Sequence, residues 1–345
     1  MSADLSRLAD LVGSFPQQAV VLLGDFVADE FVFGEISRVS REAPVLILRQ
    51  RETQVLPGGA ANAANNLADL GARVLPVTAV GDDAPGHALL DYFRRKRVDT
   101  SGIVRVSGWA TPAKARYLAG WTHTARQQVL RVDREPSASL PARAQAAILR
   151  KARERLKRAQ TLLVSDYGYG VAPPALVRRL RGRNSAGRLL TLDSRYALLD
   201  YRDAGVIAAT PNEPELEALH HARIGNDREA LERLASRTLR QMKLQALVVT
   251  RGKDGMVVFE RGRKPCFLPI YGTDQALDVT GAGDTVIAVF TLALAAGATF
   301  VEAAHLANYA GGIVVMKRGT ASLTREELLA AIRSDATGAP ADRAR

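Results

Sequence analysis

The chain has 345 residues, 47% apolar and 24% charged, with 47 lysines and arginines against 36 aspartates and glutamates for a formal charge of +11. Those proportions are ordinary for a soluble globular protein, and the length allows a large core without metals or disulfides. The single cysteine, Cys266, cannot form an internal bridge, so a reducing, cytoplasmic compartment is expected.

Residues 1–17 carry Asp4, Arg7 and Asp10 and read as a short amphipathic helical extension rather than a signal peptide. Beyond them, short apolar runs ending near Gly, Asp, Asn or Ser predict buried strands over 19–23, 74–80, 161–164, 189–192, 206–208, 246–250 and 255–259. Helical periodicity falls between them, over 60–70, 86–96, 143–158, 175–183, 213–219, 228–242, 284–296, 300–315 and 325–333. This alternation implies a parallel sheet covered by helices. Two stretches break the rhythm as extended chain: 45–55, and 111–134 folding back near 120–124. On the second, period-2 spacing puts Lys114 and Arg116 on one face, with Arg126 and Arg131 on the returning strand. Such a small sheet is either a cleft cover or a plain surface hairpin. There is no internal repeat, and 334–345 reads as a flexible tail.

The uncharged stretch 285–301 falls just short of the ~18 residues of a membrane span and contains Gly297, so it reads as a buried core helix. The excess charge is local. Residues 141–158 carry seven cations against Glu154, and 176–188 carry five and no acid, so these segments (+6 and +5) account for the whole +11. Neither interleaves aromatics for stacking bases; a solvated helix face is preferred over a polyanion site.

Three segments carry chemistry. Asp278-Val-Thr280-Gly281-Ala282-Gly283-Asp284 leads into the uncharged helix. Small residues there let several backbone N–H groups converge at a helix N-terminus, which favours an anion, with Asp284 in the first turn. A first-turn acid is common in helices, but that alone does not explain three small residues before it. The second is Pro57-Gly58-Gly59-Ala-Ala-Asn62 through Gly71, where glycines allow close approach and Asn62 can fork two hydroxyls; a tightly packed helix with a glycine-rich entry reads the same way. In the third, Asp25 and Asp29 follow the first strand, where carboxylates suit a polyol and are equally common in turns. Absences narrow the field: Gly252-Lys253 is followed by Asp254, so there is no P-loop, position 286 is Val rather than a third fingerprint glycine, and the five histidines lack metal-ligand spacing.

Over roughly 18–330 these segments resemble the PfkB/ribokinase family of sugar kinases, 58–71 its first signature and 278–290 its second. Within it, Gly24-Asp25, Asp29, Ile36-Ser37-Arg38, Glu42-Ala43-Pro44 and Asp166-Tyr167 are most similar to the heptose 7-phosphate kinases. The resemblance implies a ribokinase-like three-layer α/β/α sandwich with a mostly parallel sheet, a kinase domain over 18–333, and a β-lid over about 31–56 and 103–134. It implies ATP-dependent phosphorylation of an anomeric hydroxyl, with Asp284 as general base and the amides of Gly281, Ala282, Gly283 and Asp284 as the anion hole. By the same resemblance, Asp29, Gly59 and Asn62 face the sugar with Asp25 and Gly58 beside them, and Asn212, Thr250, Gly252 and Asn308 face the nucleotide. A subset of Arg38, Lys114, Arg116 and Arg126, in or beside the lid segments, is expected to hold the sugar's phosphate, because a buried phosphate needs charge-assisted donors. Glu215 and Asn212 would hold Mg²⁺ through water, and Asp278 and Thr280 a potassium ion. A stand-alone cytoplasmic homodimer joined through the lid is expected, serving lipopolysaccharide precursor synthesis, with neither membrane nor nucleic-acid partner. The resembled kinases carry Lys where this chain has Tyr169, and Asp-Pro-Lys where it has Asp193-Ser194-Arg195. A PfkB-type kinase of another sugar, sugar phosphate or nucleoside is the alternative. A non-catalytic sugar or nucleotide binder would be expected to have lost Asp284 or the glycines.

Overall fold

Val20, Val21, Leu22 and Leu23 are all fully buried. Successive strand residues point to opposite faces, so burial of all four means that both faces are covered. Val20 and Leu22 belong to one apolar core and Val21 and Leu23 to a second, and the alternation repeats at Val248 against Leu247 and Val249.

The structure, a computed structural model, describes residues 4–120, 127–181, 187–272 and 276–337. Its strands are β1 (Ala19–Gly24), β2 (Phe26–Val39), β3 (Leu46–Gly59), β4 (Arg73–Gly81), β5 (Ile103–Val106), β6 (Ala113–Gly120), β7 (Gln127–Arg134), β8 (Thr161–Asp166), β9 (Leu189–Ser194), β10 (Ala208–Ala209), β11 (Ala246–Thr250), β12 (Met256–Glu260) and β13 (Cys266–Leu268). Its helices are α1 (Leu5–Gly13), α2 (Ala60–Asp69), α3 (Ala84–Arg95), α4 (Ala142–Arg155), α5 (Pro174–Leu180), α6 (Glu213–His220), α7 (Arg228–Gln241), α8 (Ala282–Ala295), α9 (Phe300–Val314) and α10 (Arg325–Thr337).

Nine strands form the central sheet in the order β13-β12-β11-β10-β9-β8-β1-β4-β5, parallel from β11 to β5 and antiparallel at β12 and β13. Residues of α1, α2, α3, α8, α9 and α10 share the core on one face; those of α4 to α7 share the other. This is a three-layer α/β/α sandwich. The ligand-bearing ends of parallel strands are their carboxyl ends, so Asp25, Tyr167, Arg195 and Arg251 all emerge at one edge.

A second sheet, in the order β3-β2-β6-β7, stands off that edge. Its core is the long β2/β3 hairpin, and β6 adds parallel to β2 so that Lys114 lies beside Asp29 and Arg116 beside Phe31. Four details differ from the sequence expectations. Asp29 lies within β2 rather than in a turn, because 26–39 finds a partner on each side. Residues 103–106 join the central sheet beside β4, not the lid. Only Ala208–Ala209 pairs in the strand expected over 206–208, and α10 continues to Thr337, past the expected start of the tail at 334.

The uncharged stretch divides as its glycine suggests. Helix α8 ends at Ala295, Gly297 adopts φ +90°, and Thr299 caps α9 with a side-chain bond to the Glu302 N–H. No described helix is long and apolar enough to cross a membrane. Helix α1 is capped by Asp4 and buries Leu8, Leu11 and Val12 against the α10 side of the core. Among the described residues of the basic segments only Arg155 forms an ion pair, with Asp99; Arg153 and Arg178 donate to the carbonyls of Arg179 and Asp200.

Candidate active site

Asp284, the third residue of α8, is 2% exposed. Gly281 caps that helix at φ +78°, and a Cβ there would lie 2.4 Å from Asn62 Nδ2. Glycine is therefore required twice, for the backbone conformation and for the approach of Asn62. From the first turn of α2, Asn62 Nδ2 donates to Gly281 O at 3.1 Å and to Asp284 Oδ2 at 3.2 Å. From the end of β8, the Tyr167 hydroxyl donates to Asp284 Oδ1 at 2.7 Å. Burial pushes the Asp284 carboxyl up to about 7; the Tyr167 and Asn62 hydrogen bonds pull it down, the Asp29 charge adds to the rise, and Lys114 opposes it.

Of the four amides expected to face an anion, that of Ala282 is already bonded to Val279 O at 3.3 Å, because the left-handed turn at Gly281 folds that carbonyl under the helix. The amides of Gly281, Gly283 and Asp284 have no acceptor among the described residues. A Cβ on Gly283 would meet nothing within 4 Å. The helix therefore begins with three unpaired N–H groups beside open space, the arrangement that holds a phosphoryl group.

The first two substrate segments are built differently from expectation. Asp25 spends its carboxylate on the chain itself, accepting from the N–H groups of Tyr167 (2.9 Å), Tyr169 (3.2 Å) and Val171 (3.0 Å), and so fixes the 167–171 turn. Burial and the neighbouring Asp166 raise its pKa to about 6 even against those donors. Asn62 forks protein groups rather than ligand hydroxyls, and its Oδ1 accepts from Asn66. Gly58 and Gly59 make room for the site's own side chains: a Cβ on Gly58 would fall 2.4 Å from the Asp29 carboxylate, and one on Gly59 2.9 Å from Val27 Cγ2.

Asp29 is buried, paired with Arg116, and accepts from the Thr320 hydroxyl at 2.7 Å. Lys114 Nζ lies 5.4 Å from the centre of the Tyr167 ring; burial holds its pKa below the usual lysine range, and Arg195 and Arg116 act in the same direction. Lys114, Arg116 and Arg195 thus gather at the cleft. Arg38 does not: it is exposed, nine residues beyond Asp29 on β2, roughly 30 Å away at ~3.3 Å per residue. Arg126 lies outside the described residues.

On the other side of α8, Asn212 and Glu215 form a reciprocal capping box at the start of α6, and Asn212 bridges to Thr250. Beyond Thr250, Lys253 and Asp254 of the Gly252–Asp254 turn line an open pocket of about 360 Å³ together with Asn226, Arg251, Pro269 and Ile270. Asn308 Nδ2 donates to Pro269 O at 2.7 Å, tying α9 to the pocket wall. Asp284 does not line this pocket; Asp193, near the carboxyl end of β9, is the carboxyl on which the charges of both Glu215 and Asp284 act. Asp278 accepts from the N–H groups of Thr280 and Gly319 at 2.9 Å each; burial raises its pKa, but the Thr280 hydroxyl, these two N–H groups and the Arg116 charge together lower it.

A family model described as the pfkB family carbohydrate kinase matches residues 21–327. The chain belongs to the pfkB family of carbohydrate kinases. Among similar curated proteins, "Bifunctional protein HldE" of Desulfatibacillum aliphaticivorans is 37% identical over 93% of this chain, and its namesake in Mesorhizobium japonicum 38% over 93%. The chain spans 64% and 63% of their lengths, so less than two thirds of each. Among solved structures, Arabidopsis thaliana ribokinase complexed with ribose and ATP superposes with a TM-score of 0.69 at 20% identity, covering 92% of this chain and 98% of that one. Phosphofructokinase-2 from Escherichia coli in complex with substrates and products gives 0.71 at 18%, again over 92% and 98%. At such identity these two establish the ribokinase-like fold.

In this pfkB kinase, sequence reasoning passed over Tyr167 and Thr320 as site residues. Each touches a named carboxylate through a contact of over a hundred positions in sequence, which no local pattern marks. Among the described residues no three His, Cys, Asp or Glu side chains converge as a direct metal site. The donor set does fit a cation held through water. Burial, then the charges of Glu215, Asp284 and Asp166, raise the Asp193 pKa well above its usual range, a like-charge crowding that a cation would relieve, while the rise at Glu215 comes from burial alone.

Proposed function

We propose that this kinase uses ATP to phosphorylate the anomeric hydroxyl of D-glycero-D-manno-heptose 7-phosphate, giving the 1,7-bisphosphate. The observation that carries phosphoryl transfer is the buried Asp284 carboxylate set beside the unpaired amides of Gly281, Gly283 and Asp284. Asp284 takes the proton of the acceptor hydroxyl as its oxygen bonds to the γ-phosphorus and the bond to the ADP oxygen breaks. The three amides face the charge that develops on the phosphoryl oxygens.

The nucleotide would lie over the Gly252–Asp254 turn toward Asn308. Glu215, oriented by Asn212, would hold Mg²⁺ through water, and that ion would neutralise phosphate charge. Asp278 and Thr280 are the proposed potassium position. The heptose phosphate assignment rests on the sequence resemblance and on the cations gathered at the cleft: Lys114 and Arg195 are free of the ion pair that occupies Arg116, and they suit the remote phosphate. Exposed Val129, Leu130 and Val132 on β7, with Val45 and Leu46, support a homodimer formed through the lid sheet.

ADP release measured with heptose 7-phosphate, fructose 6-phosphate, ribose and adenosine tests this. The heptose phosphate is expected to give the highest kcat/KM. Faster turnover of an unphosphorylated sugar or the nucleoside would overturn the substrate assignment.

A further inference from the structure

Asp284 is held at both oxygens, and the two holders differ. Asn62 is fully buried on α2 and also binds the Gly281 carbonyl, so it supports the turn as well as the acid. Tyr167 makes no hydrogen bond through its hydroxyl other than that to Asp284 Oδ1 among the described residues. The rest of Tyr167 is built to keep that hydroxyl in place. Its N–H is bound by Asp25, which also grips Tyr169 and Val171; Lys114 Nζ stands 5.4 Å from its ring centre; and the ring passes so close to Gly59 that a Cβ there would lie 3.3 Å from Cε2.

We propose that Tyr167 is a positioning residue for phosphoryl transfer: its hydroxyl, donating to Asp284 Oδ1, fixes the plane of that carboxylate and favours the ionised form able to accept a proton. The inference rests on the kinase function proposed above. Burial and the Asp284 and Asp193 charges keep the phenol well above its usual pKa, so it remains a donor at every pH of interest. With Tyr167 on Oδ1 and Asn62 on Oδ2, each oxygen keeps a further lone pair for the acceptor hydroxyl. The charged groups facing Asp284 are Asp29 from β2, Lys114 from β6 and Asp193 from β9, all of which persist when the phenol is removed. A hydrogen bond to a charged acceptor is among the stronger ones, so its loss moves the carboxyl up by about one pH unit.

The test is Tyr167→Phe, which keeps the ring between Lys114 and Gly59. The Asp284 titration is followed by ¹³C NMR of aspartate-labelled protein, assigned with Asp284→Asn and needing no substrate, and kcat/KM is measured from pH 5.5 to 9.5. We expect the titration and the acid limb of the rate profile to move upward together by about one unit, with activity largely recovered at high pH. An unmoved titration, or an equal loss of kcat/KM at every pH, would overturn the proposal and leave Tyr167 a packing residue. A wild-type protein inactive on every sugar would instead refute the kinase function, and the NMR titration would still decide whether Tyr167 governs Asp284.

Discussion

Asn62 Nδ2 lies 3.2 Å from Asp284 Oδ2, although 222 positions separate them in the chain. This one contact joins the two glycine-rich segments, and it explains why both need small residues. Replacing Asn62 by Leu removes the donors to Asp284 and Gly281 and leaves the amide of Asn66 short of an acceptor. Stability should fall by about 1–3 kcal/mol in urea unfolding. Turnover should fall further than ATP binding does.

Asp284→Asn should cut kcat by ~10²–10⁴-fold with ATP affinity retained, since a positioned base contributes about that much. Its effect on stability has a definite sign. The folded carboxyl is raised from 3.8 to about 7, so the native state holds its proton more tightly than the unfolded chain. Stability linked to this group is full below the unfolded pKa and is lost as pH rises through about 7. The Asn variant should therefore have a higher Tm than wild type at pH 8, with the advantage shrinking toward pH 5. Scanning calorimetry at the two pH values measures this, and an advantage that grows on acidification would refute the assignment of the raised pKa.

Asp29 and Arg116 form a buried pair whose side chains are 6% and 11% exposed. Arg116→Met leaves the Thr320 hydroxyl as the one side-chain hydrogen-bond donor to Asp29 among the described residues, with the Lys114 charge still nearby, and the loss of one member of such a pair costs ~3–5 kcal/mol. Adding Asp29→Asn should restore part of that loss, because the stranded charge goes with it. Urea midpoints of the two single variants and the double variant give the coupling directly.

Gly281 and Gly283 should respond differently to alanine. At 281 the backbone is left-handed and Asn62 blocks the Cβ, so the variant should unfold at lower temperature and lose activity. At 283 no neighbour lies within 4 Å, so Tm should be unchanged or slightly raised. The new methyl would project into the space proposed for the phosphoryl group, and kcat/KM should fall by more than tenfold. A Gly283→Ala enzyme of normal activity would remove the phosphoryl group from that space.

The periodicities of the chain were enough to place β1, β11, α2, α8 and α9 within a residue or two, because both faces of a parallel sheet demand unbroken apolar runs and the helices demand 3.6-residue spacing. The turn before Asp284 was legible for a local reason: glycine on either side of alanine at a helix start has few other uses. What Asp25, Asn62 and Gly58 do was decided only by tertiary structure. Whether a carboxylate or an amide faces a ligand or its own backbone depends on which donors other strands bring within 3 Å, and Asp25 meets three from the 167–171 turn. The same holds for Arg38, whose charge is plain in sequence but whose distance from the site is set by the length of β2, and for Tyr167, whose meeting with Asp284 depends on the neighbouring order of β8, β1 and the helix layer above them.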